Sequence, residues 1–227
     1  MTEAHATAGD GPAAAWAGLD EPWREAFRQA WEAVRTGNIG VGAVVSDPEG
    51  RIVHASRNRV SEQDAPPGEV AGSSIAHAEI NALARLRFRS PREYVLSTTL
   101  QPCLQCSAAI RMAPVAQVRI AGADRLWDGC GDFTSLNRWV ARRPQVPTEG
   151  PRRDELGTFA VLMSRLGVGV VDQFAQVLVE HGEGPILALA DDLQGGTELD
   201  QLIAMPVDAV LARLWDRLPT PTLDAWL

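Results

Sequence analysis

Residues 94–122 read YVLSTTLQPCLQCSAAIRMAPVAQVRIAG, and this stretch decides how the chain folds. Tyr94 to Leu100 reads as a strand, Cys103 to Met112 as a helix, and Val115 to Gly122 as the next strand. Pro102 suits the helix entry, because a helix start has no use for the N–H that proline lacks. Cys103 and Cys106 stand three residues apart in the first turn, on one face, so both sulfurs can meet a single ion.

Upstream, Asp20 is placed to cap a helix with Pro22 in its first turn. Trp23, Phe27, Trp31 and Ala26, Ala30, Val34 recur at helical spacing on a buried face, and Gly37 ends the run. Ile39 to Ser46 is a short apolar run, residues 47–50 (DPEG) make a turn, and Arg51 to Asn58 reads as the second strand of a hairpin. Residues 59–73 hold Pro66, Pro67, Gly68 and Gly72, which is loop chemistry able to form a lid. Ser73 or Ser74 can cap a helix over about 75–89, with Ile80, Leu83, Ala84 and Leu86 on one side. Alternating strands and helices are a parallel-sheet signature, so the first 125 residues or so form an α/β layer structure.

Beyond it the character changes. Residues 126–153 are rich in glycine and proline and read as a loop-rich connection closing a pocket. Residues 154–227 form a C-terminal helical extension, with helices at 154–166, 172–179 and 197–218, the last broken by Pro206. Residues 1–18, rich in alanine and glycine, read as a mobile tail, which leaves 19–125 as the core.

The chain has 227 residues, 45% hydrophobic and 22% charged, the composition of a folded soluble protein rather than a disordered or fibrous one. No apolar run reaches the roughly 20 residues a spanning helix needs, and the first residues lack a secretory pattern, so the expected location is cytoplasmic with no membrane partner. Net charge is −8, and all 21 cations are arginine. A protein gripping a polyanion normally shows a basic stripe; the densest stretch here is Arg85, Arg87, Arg89 and Arg92, which reads as a solvated face. The charge balance therefore argues against a nucleic-acid partner. Three cysteines, Cys103, Cys106 and Cys130, make no disulfide framework and point to metal or redox chemistry.

His77-Ala78-Glu79 opens the helix before the quoted stretch. One histidine and two cysteines suit zinc and leave a fourth position for water, whose pKa the metal brings near 7. Glu79, two residues from the histidine, is placed to move a proton. A thioredoxin-like pair explains neither His77 nor Glu79.

The H-x-E and P-C-x-x-C pattern resembles the zinc-dependent cytidine-deaminase-like superfamily. Residues 42–45 (GAVV), Asn58, residues 77–80 (HAEI), residues 98–100 (TTL) and Pro102 to Cys106 resemble most its branch of guanine deaminases and tRNA adenosine deaminases. The resemblance covers residues of about 20 to 125. It implies a three-layer α/β/α fold with a mixed sheet of about five strands, usually in a dimer. It implies that His77, Cys103 and Cys106 hold zinc, that Glu79 is catalytic, and that Asn58 and the Ala78 backbone N–H bind substrate. Gly42 is expected to let a ring approach the strand, and Trp127, Asp128 and Phe133 to help close the pocket. Gln101 departs from the branch, which commonly has glutamate before the Pro-Cys pair.

The implied reaction is hydrolytic deamination of a small nucleobase, nucleoside or related amino-heterocycle, purine-type such as guanine, with release of ammonia. Deamination of adenosine in tRNA is the alternative. A zinc-stabilised binding protein without catalysis is a second one, against which an intact Glu79 weighs.

Overall fold

The computed structural model describes residues 11–87, 90–143, 145–167 and 172–220. Residues 1–10 of the expected tail lie outside that range, and the rest of it is not a tail. Gly11–Ala17 forms a helix, α1, because alanine is the best helix former and Trp16 packs edge-on against Phe27 with ring centroids 6.1 Å apart. Asp20 then caps α2 (Glu21–Arg35), its carboxylate accepting the Trp23 N–H at 2.9 Å. The face marked by helical spacing, Trp23 through Val34, is buried.

β1 (Gly42–Ser46) and β2 (Ile52–Arg57) pair antiparallel. Their turn is held by Asp47 Oδ1, which accepts N–H bonds from Glu49 and Arg51, with Gly50 at φ +80°. Next come α3 (Ala78–Ala84), β3 (Tyr94–Leu100), α4 (Leu104–Met112) and β4 (Val115–Gly122). A four-residue helix, α5 (Arg138–Ala141), and a two-residue strand, β5 (Thr148–Glu149), lie in the loop-rich connection. Among the described residues the sheet order is β2-β1-β3-β4-β5. The parallel sheet expected from alternation holds only for β3, β4 and β5. β1 runs antiparallel to β2 and β3, so the sheet is the mixed, five-stranded one that the resemblance implies.

α3 is shorter than the 75–89 expected. His77 is its N-cap with extended backbone (φ −76°, ψ 154°), which delays the helix and turns the imidazole away from it. The loop 59–73 is not a lid. Arg57 pairs with Glu62 and Arg59 with Glu69, each at 2.7 Å, and Asn81 exchanges two hydrogen bonds with the Val70 backbone, so the loop is stapled to β2 and α3.

The C-terminal residues build α6 (Glu155–Leu166), α7 (Asp172–Glu180), α8 (Gly184–Gln194), α9 (Glu198–Ile203) and α10 (Val207–Leu214). Pro206 separates the last two, as read from the sequence. α8 was not expected; its signal is Pro185 in the first turn. Every residue of α6 from Leu156 to Leu166 is buried, and Phe159 stacks on Phe27 with centroids 6.2 Å apart. One core thus joins α2, α6 and the later helices on one face of the sheet, and a second lies under α3 and α4 on the other. β1 serves both, Val44 facing the first while Ala43 and Val45 face the second.

Gly42 belongs to this packing and not to the substrate side. A Cβ there would fall 2.1 Å from the Ala26 carbonyl oxygen and 2.5 Å from the Ala30 nitrogen, backbone atoms of α2 that have no rotamer to yield. Gly42→Ala is expected to destabilise by about 1–3 kcal/mol, lowering the melting temperature by roughly 2–12 °C. A circular-dichroism melt with an unshifted midpoint would contradict this contact.

Candidate active site

The carboxyl ends of β2, β3 and β4 lie on the same side of the sheet as the amino ends of α3 and α4, the side where open α/β sheets bind ligands. His77 and Cys103 are the N-caps of α3 and α4, both in extended backbone. Their side chains are therefore free to meet, and Cys106 joins them from the first turn of α4. His77 Nδ1 lies 3.4 Å from Cys103 Sγ and 3.5 Å from Cys106 Sγ.

A tetrahedral zinc with Zn–N near 2.0 Å and Zn–S near 2.3 Å sets nitrogen and sulfur about 3.6 Å apart, so the donor set fits that ion with almost no movement. All three ligand atoms lie within 4.8 Å of one another, and among the described residues no further histidine, cysteine or carboxylate joins the group. Cys130 is half-buried and stands apart. The Cys103 thiol is pulled down to about 4, chiefly by its hydrogen bond with Cys106, with His77 adding to the effect. Cys106, pressed between that sulfur and Glu79, is pushed up. Burial works against a charged His77, but the bond to Cys103 and the charge of Glu79 outweigh it and raise the imidazole. The three donors share protons that a divalent cation replaces, since thiolates and neutral imidazole are the ligating forms.

Glu79 sits beside this group, 3% exposed. Its Oε1 accepts from Thr98 Oγ1 at 3.1 Å and its Oε2 faces Cys106 Sγ at 3.4 Å. Burial pushes the carboxyl above the usual carboxylate range, which suits a group that must hold a proton as well as take one.

Asn58, His77, Glu79 and Cys103 open into one cavity of about 410 Å³. Ile39, Val41 and Leu100 supply apolar walls. Leu126 and Trp127 line it from the segment after β4, and Phe174 and Leu178 of α7 line it from the C-terminal extension. Asn58 is 2% exposed; its backbone N–H bonds Val41 O at 2.9 Å and its Oδ1 accepts from the Val60 N–H. Its amide Nδ2 has no partner among the described residues, so its two N–H donors remain for a ligand.

Of the residues named from the sequence, His77, Glu79, Cys103, Cys106, Asn58 and Trp127 come together here. Ala78 is buried in the first turn of α3, between two of them. Asp128 does not line the cavity. It is exposed, 3.6 Å from Arg125 and 3.3 Å from Gln101 Nε2, and serves the loop. Phe133 lies elsewhere, 5.5 Å under the Arg111 guanidinium. Gln101 itself lines the cavity, and its Oε1 accepts from the Asp124 N–H at 3.3 Å. That bond needs only a carbonyl acceptor, and the amide nitrogen adds the bond to Asp128. Sequence reasoning missed Asp124, Ser164, Arg165, Phe174 and Leu178. A single arginine inside the apolar run 156–166 was the one available signal.

Residues 20–121 match the cytidine and deoxycytidylate deaminase zinc-binding region. They belong to that family. The tRNA-specific adenosine deaminase of Aquifex aeolicus is 31% identical to this deaminase region over 108 residues, which are 46% of this chain and 66% of that protein. A solved structure from work on A-to-I editing by tRNA:A34 deaminases superposes with TM-score 0.45 at 25% identity, over 56% of this chain and 95% of that one. Guanine deaminase from Bacillus subtilis gives 0.38 at 24% identity, over 46% and 66%. The chain thus spans 66% of the length of the Aquifex protein, and the helices α6 to α10 lie beyond the stretch that the family model matches.

Proposed function

We propose that this protein is a zinc-dependent hydrolytic deaminase of small amino-heterocycles, a purine-type base such as guanine being the favoured substrate. The observation that carries the proposal is the buried Glu79 beside a three-donor metal site, both facing a mostly apolar cavity lined in part by the chain's own C-terminal helices. His77, Cys103 and Cys106 would hold the zinc, which supplies an acidified water at its remaining position. Asn58 Nδ2 donates to an acceptor of the ring and orients it. Apolar walls from Val41, Leu100 and Phe174 exclude bulk water and cover the ring faces. Glu79 takes the proton from water, delivers it to the ring nitrogen next to the reacting carbon, and then passes a proton to the leaving amine. One C–O bond forms, one C–N bond breaks, and ammonia leaves.

A second reading, deamination of adenosine in tRNA, is favoured by the name of the Aquifex relative. The surface favours it less. Of the densest basic stretch, Arg85 is turned to Glu69 at 3.6 Å, and Arg92 donates to the Val115 and Arg111 carbonyls. Ammonia release from guanine, adenine, cytosine and their nucleosides, beside a tRNA carrying adenosine at the wobble position, tests both. Turnover is expected with a free base, and turnover confined to the tRNA would overturn the first reading.

A further inference from the structure

At the wall of the cavity a guanidinium is held in a buried frame that the deaminase motif does not contain. Arg165 of α6 lines the cavity and is 6% exposed. Its Nε and Nη2 donate to Glu183 Oε2 at 3.1 and 2.9 Å, and its Nη2 reaches Asp124 Oδ1 at 3.5 Å. Glu183 is the N-cap of α8 and is itself buried. Asp124 follows β4 and lines the cavity beside Arg165. The two carboxylates thus hold the guanidinium in place. Nη1 makes no hydrogen bond to any described residue, which leaves its two N–H groups for a ligand of the cavity that Arg165 lines.

Arginine has donors only and does not lose its charge. A substrate atom facing it must be an acceptor. Asn58 Nδ2 is a second unpartnered donor there, and burying an unused charged donor against an apolar ring is costly. We infer that Arg165 is a specificity-determining residue that recognises the carbonyl edge of the heterocycle, so that the substrate is an amino-oxo ring rather than a purely amino-substituted one. The inference rests on the proposed deamination of small heterocycles and narrows it. In guanine, with the 2-amino group at Glu79, the 6-oxo oxygen is an acceptor on another edge, which the N–H groups of Nη1 can meet.

Guanine and 2-aminopurine carry the same reacting amine and differ at the 6-oxo position. The zinc-loaded protein is expected to prefer guanine in kcat/KM, and Arg165→Met is expected to shrink the guanine to 2-aminopurine ratio by about 10- to 100-fold. Because Met leaves Glu183 and Asp124 unpaired and can fail to fold, Arg165→Lys is the companion variant. It keeps the charge between the two carboxylates but loses the planar fork, and should shrink the ratio in the same direction. Binding of hypoxanthine, which has the carbonyl and no amine to lose, should weaken at least tenfold in Arg165→Lys by calorimetry. If the ratio and hypoxanthine binding stay at wild-type values in the folded variants, Arg165 is a structural tie and the inference is overturned. Ammonia from neither base with the wild-type protein would instead sink the proposed function, and the inference with it.

Discussion

Glu79→Gln should bind a full equivalent of zinc, melt no lower than the wild-type protein, and release ammonia about 10²–10⁴ times more slowly. Each part follows from a contact. The amide oxygen can accept from Thr98 as Glu79 Oε1 does at 3.1 Å, and the amide N–H can donate toward the Cys106 sulfur that faces Oε2 at 3.4 Å. Shape and neighbours are kept. The carboxyl is 3% exposed and pushed up by burial, so a neutral group of the same shape is well tolerated there. An amide cannot carry a proton from water to the ring and again to the amine. Metal content by atomic absorption, a thermal melt and an ammonia assay on one preparation separate the two roles open to Glu79. Near wild-type turnover would return Glu79 to the core as a packing residue, and the zinc site to a structural one.

The sequence reveals the parts of this protein whose signal is local. Asp20 with Pro22, the residue 47–50 turn, and the paired Pro-Cys and His-x-Glu segments each act within a few residues, and the elements around them lie close to where the sequence places them, α3 being the shortened one. Pairing direction is not local. The run of strands and helices looks the same whether β1 joins β3 parallel or antiparallel, and only the sheet register decides. Gly42 shows the same limit in miniature. A glycine on a strand beside a site reads as room for a ligand, yet the space is taken by the α2 backbone, which lies 16 residues earlier at Ala26. Arg165 is the clearest loss. In sequence it is one cation in an apolar helix, and it acquires meaning only when α6 carries it to Asp124, 41 residues away, and to Glu183.

α6 also explains how the C-terminal residues reach this cavity. Its neighbours α2, β3, β4 and α8 leave it no exposed face, so the extension is part of the fold rather than an addition to it. A Cβ on Gly40 would strike Met163 O at 2.1 Å, which shows how closely the end of α6 lies against the strand that leads into the site. The arrangement brings Ser164 and Arg165 to the cavity on a rigid element and leaves Phe174 and Leu178 of α7 as its cover. Rigid walls of this kind suit a small planar ring held on several sides.

Cys106→Ala should lose both the metal and the chemistry, and it should also uncouple stability from zinc. Cys106 is fully buried and completes the donor set with His77 at 3.5 Å and Cys103. With two donors left, the site no longer holds the ion in its geometry, so zinc content should fall from one equivalent to a small fraction and ammonia release by at least 10³-fold. Zinc that binds only the folded wild-type chain stabilises it by about 4 kcal/mol when free zinc is a thousandfold above the dissociation constant. For a chain of this length that raises the melting temperature by roughly 8–16 °C, and chelation should reverse the rise. In Cys106→Ala the same zinc concentration should move the midpoint by less than about 2 °C. The paired melts matter more than activity alone, because a misfolded variant would also be inactive whereas a folded one that ignores zinc identifies Cys106 as a ligand. A wild-type midpoint indifferent to zinc, with the metal nonetheless bound, would mean that the site grips the ion no more tightly than the unfolded chain does, and the convergence of His77, Cys103 and Cys106 would lose its meaning.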